Sequence, residues 1–267
     1  MTPLKPMCLA VFLGLVALSP AAAATCGNDG NGFSAWKKEF AKEARQAGIK
    51  KRGLEALASA QYATRTIAAD RNQKSFKYSL DKFMQVRGAN TIVAQARKRK
   101  SRNANFYASL ERQYGVPSGV LLAIHGMETA FGGFMGDSSV VSAIVTLTYD
   151  CRRSDFFRPH ALGALKLVDQ GSITPQTKGA RHGELGHTQF LPGNALKYGV
   201  DANGDGRVDF YSEADALAST ANYLRNKGWK TGQGYQEGQP NFLAIKEWNA
   251  AGVYQKAIAI MAAKIDS

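Results

Sequence analysis

Long apolar runs are missing from this 267-residue chain once its first two dozen residues are passed. That leaves no further segment that reads as a membrane span. No internal repeat is present, which excludes a solenoid or propeller. Convincing alternation of apolar and polar residues is scarce, so a large sheet is not expected. Acidic residues are in deficit, with 21 Asp and Glu against 34 Lys and Arg and a net charge of +13. Cysteine is rare, at three residues.

What is present begins with MTPLKPMCLAVFLGLVALSPAAAA. Lys5 precedes an apolar stretch too short to cross a bilayer, and Ala22–Ala24 supply small residues. This predicts a secretory signal peptide over residues 1–24, cleaved near Ala24. The residues before Cys26 lack the leucine of a lipoprotein signal, so a soluble periplasmic or secreted protein is expected. Residues 25–267 then suit one large domain, or one domain with a smaller appendage.

Cys26 and Cys151 remain after cleavage. In an oxidising compartment they either pair, tying the N-terminus to the middle of the chain, or stay two thiols; pairing is the expectation. The basic balance favours polyanions outside the cytoplasm. The run Arg97-Lys98-Arg99-Lys100 reads as a solvated helix face rather than a nucleic-acid patch.

The pattern is mainly helical. Phe33, Trp36, Phe40 and Ala44 recur at helical spacing and predict a helix over 33–47 ended by Gly48. Further helices are expected over 53–62, 81–100, 104–114, 158–170, 212–227 and, as one or two, 242–265. The β-branched stretch 140–148 is open between strand and buried helix, and 174–186 reads as loop.

One helix carries chemistry: PSGVLLAIHGMETAFGG, residues 117–133. Glu128 follows Ile124 by four and precedes Phe131 by three, so it shares the apolar stripe, with Ser118 and His125 on the polar side. Burial there raises the pKa of a carboxyl and keeps it protonated near neutrality, as a general acid requires. Pairing with Arg152 or Arg153 is the structural alternative.

The stretch DANGDGRVDF places oxygen side chains at Asp201, Asn203, Asp205 and Asp209, with Gly206 at the tight point. The carbonyl of Arg207 falls at the seventh position of a calcium loop. A sensor would carry paired loops and a glutamate at position twelve; here that position is Ser212. Ser212 followed by Asp215 reads as a helix cap, and Glu213 or Asp215 is left to reach an ion.

Taken together, YGVPSGVLLAIHGMETAFGGFMGDS, TLTYDCRRSDFF and the segment from KGARHGELGHTQFLPGN to NYLRNKGW closely resemble lytic murein transglycosylases of the membrane-bound B type. The similarity runs from about Ile67 to NFLAIKEWNAAGVYQKAI. It implies a lysozyme-like (goose-type) catalytic domain with at most a small β-sheet and an N-terminal helical extension. It implies cleavage of the MurNAc–GlcNAc β-1,4 bond of peptidoglycan, with the muramyl 6-hydroxyl closing on its own anomeric carbon to leave a 1,6-anhydro end. Glu128, in Glu-Thr-Ala-Phe-Gly, would act first as acid and then as base. Gln189, the pair Arg152 and Arg153, Tyr223, Asn249 and Tyr254 would line the saccharide site. A structural Ca2+, no organic cofactor, peptidoglycan as partner, no nucleic acid and a monomer are the accompanying expectations.

The chain departs from the family pattern. Ala180 stands near where a serine positions the glutamate, leaving Thr188 as a substitute hydroxyl. Glu184 replaces a small residue; it is expected to be an exposed loop residue, and as a second carboxylate it would reopen ordinary hydrolysis. Trp248 replaces a tyrosine, at a subsite edge.

Overall fold

The computed structural model describes residues 24–72 and 77–267. The expected signal peptide lies outside the described residues except for Ala24. The first half of the chain forms α1 (Phe33–Gln46), α2 (Lys51–Ser59), α3 (Thr64–Arg71), α4 (Leu80–Val86), α5 (Ala89–Arg102), α6 (Ala104–Tyr114) and α7 (Ser118–Thr129). The second half forms α8 (Val140–Tyr149), α9 (Ser154–Gln170), α10 (Pro192–Tyr198), α11 (Glu213–Asn226), α12 (Phe242–Trp248) and α13 (Gly252–Asp266). Two short strands, β1 (Ser138–Ser139) and β2 (Lys178–Gly179), pair antiparallel. The mainly α fold with a minimal sheet is the expected one.

Local chemistry explains most boundaries. The apolar stripe of α1 is buried as its spacing requires. Gly115, at φ 72°, ends α6 in a left-handed turn that glycine enters at little cost. The single helix expected over 81–100 is two, α4 and α5, because Gly88 at φ 67° breaks the run. The β-branched stretch 140–148 resolves as helix. It is buried except at Ser142, and Ser139 caps it by accepting from the Ser142 amide. Neither α3 nor α10 was signalled by periodicity.

The centre of the molecule is α7. It packs most extensively against α13. The polar side expected of it does not exist, for Ser118 and His125 are both buried. The polar groups are satisfied inside: Ser118 donates to Asp266, and His125 Nε2 lies 2.9 Å from His187 Nδ1. A helix enclosed on all faces has no solvent stripe to read.

The basic run on α5 is only partly solvated. Lys100 pairs with Asp266 at 2.7 Å, and Arg97 Nε donates to the Lys264 carbonyl at 2.8 Å. Arg99 lies over the Phe131 ring and 3.2 Å from Glu213. These bonds stitch α5 to the C-terminal helix and to the turn after α7.

A disulfide joins Cys26 to Cys151, 125 residues apart. Beside it the Gly27 amide donates to the Tyr149 carbonyl and the Cys151 amide donates back to Gly27. Gly27 is required there, since a Cβ would meet the Tyr149 hydroxyl at 2.0 Å. Closing so long a loop is worth on the order of 4–5 kcal/mol in chain entropy.

Candidate active site

Glu128 sits on the last turn of α7, and the backbone beyond it is unusual. Ala130 and Phe131 both have positive φ, 49° and 62°. Consecutive non-glycine residues in this region are costly and persist only where their surroundings fix them. Thr129 Oγ1 donates to the His187 carbonyl at 2.7 Å and accepts from the Gly132 amide at 2.9 Å. Phe131 is buried beneath Arg99. The turn that presents Glu128 is thereby pinned on both sides.

Two donors reach the Glu128 carboxyl, and both bond Oε1. Tyr254 OH donates at 2.5 Å and Trp248 Nε1 at 3.2 Å. Trp248 is held edge-on by Phe190 and Tyr223. Burial pushes the Glu128 pKa up to about 7; the two donors pull against that, and the nearby Glu184 carboxyl adds to it. Burial wins because the charged form loses more solvation than two hydrogen bonds return.

Glu128 opens into a cleft of about 760 Å³. Of the other residues predicted for the saccharide site, Arg153, Gln189, Tyr223, Asn249 and Tyr254 line this cleft; Arg152 does not. Gln189 has φ 57° and donates from Nε2 to the Gly186 carbonyl at 2.7 Å. That bond holds its own turn and leaves the amide oxygen for other work. Tyr223 donates to the Glu247 carbonyl, and Asn249 accepts from the Ala251 amide. Tyr254 is buried at the cleft floor and spends its hydroxyl on Glu128.

The arginine pair has a different occupation from the one expected. Arg152 Nε donates to Asp70 at 2.6 Å, and Arg153 donates to the other oxygen of the same carboxylate. Burial alone would raise Asp70, but the two guanidinium groups overcome it and hold the carboxyl below its usual range. Asp70 belongs to α3, an element the sequence did not signal. Arg153 also lies over the Phe157 ring at 4.8 Å.

Three more expectations are corrected. Thr188 does not replace the missing serine at Ala180, because it is buried and bonded to Thr220 Oγ1 at 3.0 Å. Trp248 does not merely edge a subsite, since it donates to Glu128. Glu184 is not an exposed loop residue: its side chain is 23% exposed and lines the cleft. Burial pushes its pKa up to about 7 against the amides of Glu184 and His182. His182 lies between Asp70, at 3.9 Å, and Glu184, at 3.6 Å, and burial lowers its pKa. Glu184 stands out in the sequence as a departure from the family pattern, whereas nothing in the sequence marks His182 or Arg87, which also line the cleft. No periodic signal marks a charged residue whose loop folds into a cleft.

The acidic loop holds itself in shape. Asp201 accepts from the amides of Gly204 and Gly206, Asn203 from Asp205, and Asp205 from Arg207. Asp209 accepts from the Tyr211 amide. Of the two acids left to close the loop, Glu213 is turned away to Arg99 and Tyr107. Asp215 is fully buried and accepts from the amides of Ala202 and Asp209, with no basic side chain paired to it among the described residues. Carboxylate, amide and carbonyl oxygens of this kind suit a calcium ion in donor chemistry. Among the described residues, no three acidic, histidine or cysteine side chains are gathered as a metal centre. The loop abuts the cleft wall: the Phe210 carbonyl accepts from the His187 amide, two residues before Gln189.

The structure is a mainly helical, lysozyme-like fold in which the half-buried Glu128 opens into a cleft of mixed polar and apolar lining. The chain belongs to the family described as the transglycosylase SLT domain, whose model matches residues 32–238. It is 33% identical, over 142 residues, to membrane-bound lytic murein transglycosylase B of Escherichia coli, covering 50% of this chain and 39% of that protein. The chain thus matches about two fifths of that relative's length. SltB3 from Pseudomonas aeruginosa, solved in complex with NAG-anhNAM-pentapeptide, superimposes with a TM-score of 0.80 at 26% identity, covering 89% of this chain and 80% of that one. The Escherichia coli lytic transglycosylase Slt35 in complex with calcium shares the fold, with a TM-score of 0.73 at 20% identity over 91% and 96% of the two chains.

Proposed function

We propose that the protein is an exported lytic transglycosylase, acting as a monomer on peptidoglycan in the periplasm or outside the cell. On this reading residues 1–24 are a removable signal, and residues 25–267 are one catalytic domain with an N-terminal helical extension. Among the described residues no helix is long and apolar enough to cross a membrane. The observation that carries the reading is Glu128, a carboxyl held protonated near neutrality at the floor of a polar cleft.

The chemistry follows from that proton. Glu128 delivers it to the oxygen linking MurNAc to GlcNAc, and the bond to the anomeric carbon breaks. Positive charge grows at that carbon, where the N-acetyl group assists. Glu128, now a carboxylate, takes the proton from the muramyl 6-hydroxyl as that oxygen closes on the anomeric carbon. One residue gives and regains one proton, so neither external water nor a second carboxylate is consumed. Tyr254 and Trp248 stabilise the carboxylate between the two steps through Oε1, leaving Oε2 to carry the proton. Gln189, Tyr223 and Asn249 offer the amide and ring surfaces that suit sugar contacts. The relative's name, and the anhydromuramyl ligand of SltB3, support the same substrate and product.

A structural calcium completes the reading. Asp201, Asn203, Asp205, the Arg207 carbonyl and Asp209 would hold it, with Asp215 left to close the loop, and it would stiffen the loop behind the Gln189 turn.

Mass spectrometry of purified sacculi digested by the protein tests the proposal. Muropeptides lighter by one water than reducing-end products are expected, and Glu128→Gln should release none. Reducing ends from the wild type would make the protein a hydrolytic muramidase, the reading that Glu184 in the cleft favours. Binding without any release would make it a peptidoglycan-binding protein.

A further inference from the structure

The family resemblance places Arg152 and Arg153 at the saccharide site, where a guanidinium would suit the substrate's carboxylates. The structure neutralises much of that charge. Both guanidinium groups bond Asp70, Arg152 stands outside the cleft, and Glu184 lies near Arg153 as a second acid. A cation already engaged by buried carboxylate has little to offer an arriving one.

Another cation lines the same cleft. Arg87 follows α4, immediately before the Gly88 break, and its amide bonds the Phe83 carbonyl. Its guanidinium lies over the Phe83 ring at 5.3 Å, and among the described residues no acidic side chain is paired with it in a salt bridge. Phe83 in turn packs edge-on against Tyr254 at 6.4 Å, and Tyr254 bonds Glu128. The guanidinium is thus exposed, braced on an aromatic face, and set on the wall beside the catalytic carboxyl. A planar fork of N–H donors in that setting suits a carboxylate.

Resting on the function proposed above, we propose that Arg87 is a specificity-determining residue that binds a carboxylate of the glycan strand, either the lactyl group of a bare muramyl residue or an acid of its stem peptide. The anion also acts on the reaction. Arg87 pulls the Glu128 pKa down, and a carboxylate docked on it offsets that pull. A correctly placed strand therefore helps the acid keep its proton until the bond breaks.

The test uses the full protein, with Arg87→Gln and Arg87→Lys, on three ligands: peptide-bearing strands, strands stripped of peptide, and a chitin oligosaccharide with no carboxylate. Anhydro-product release and tryptophan-fluorescence binding are both read. KM and Kd for Arg87→Gln should rise roughly fivefold on the strand whose carboxylate docks, the upper end for an exposed ion pair. Arg87→Lys should recover part of the loss, and added salt should weaken wild type more than Arg87→Gln. A rise on stripped strands identifies the lactyl group; a rise confined to peptide-bearing strands identifies the peptide. Equal constants for wild type and Arg87→Gln on both strands overturn the proposal. So does an equal rise on the chitin oligosaccharide, which would reflect lost packing on Phe83. A wild type that binds strands and releases no anhydro product would sink the transglycosylase reading, while the binding comparison would still decide Arg87.

Discussion

Tyr254 donates its hydroxyl to Glu128 Oε1 at 2.5 Å across 126 residues of sequence. The bond favours the carboxylate, yet burial keeps the carboxyl protonated to about pH 7. Tyr254→Phe should therefore move the alkaline limb of the pH–rate profile upward, because the lost donor no longer lowers the Glu128 pKa. The rate should fall by roughly tenfold, the worth of one hydrogen bond to a charge. Steady-state rates between pH 5 and 9 check both signs, and an unmoved limb would separate Tyr254 from the acid.

Glu128 also weighs on stability. Its carboxyl holds a proton up to about pH 7 when folded, against the 4.5 of an ordinary glutamate. The folded state is favoured fully below about pH 4.5, and that contribution is lost as pH rises through 7. Glu128→Gln cannot ionise, so it should gain on wild type as pH rises, by on the order of 2–3 kcal/mol above neutrality. Urea melts at pH 4.5 and 8 measure the difference. A gain independent of pH would mean the carboxyl is not buried as described.

These two residues also mark how far the sequence could be read. The position of Glu128 on an apolar stripe was visible because helical spacing is local. That Tyr254 and Trp248 would hold it was not, for buried aromatic residues look alike in a pattern and their partners are set by how α12 and α13 dock. Adjacent Arg152 and Arg153 looked like an outward-facing pair because Asp70 sits in a helix without a clear apolar stripe. The loop bearing His182 and Glu184 read as polar connection, and its turn into the cleft depends on close approaches such as Gly179 against the Glu184 carbonyl. The longer amphipathic helices are legible in the sequence, whereas α3 and α10 are not and α8 is ambiguous; the break at Gly88 is visible only as a glycine.

Glu184 should tune the acid without joining the chemistry. Its charge raises the Glu128 pKa, so Glu184→Gln should lower that pKa and draw the alkaline limb toward acid. The products should remain anhydro-ended. Loss of activity in Glu184→Gln, with reducing ends from the wild type, would assign Glu184 the role of activating water.

Calcium should raise the melting temperature of the wild type over that in chelator. At a hundredfold excess over Kd the gain is about 2.7 kcal/mol. Asp215→Asn should abolish the difference, because the amide removes the closing charge. Identical wild-type melts in calcium and chelator would leave the loop held by its own amides alone.

The matched family segment ends at residue 238, before Trp248 and Tyr254. Both supports of the carboxyl leave the ribosome among the last residues that line the cleft, after Arg87, Arg153, Glu184 and Gln189. Until that last pair of helices docks, the carboxyl stands without a donor.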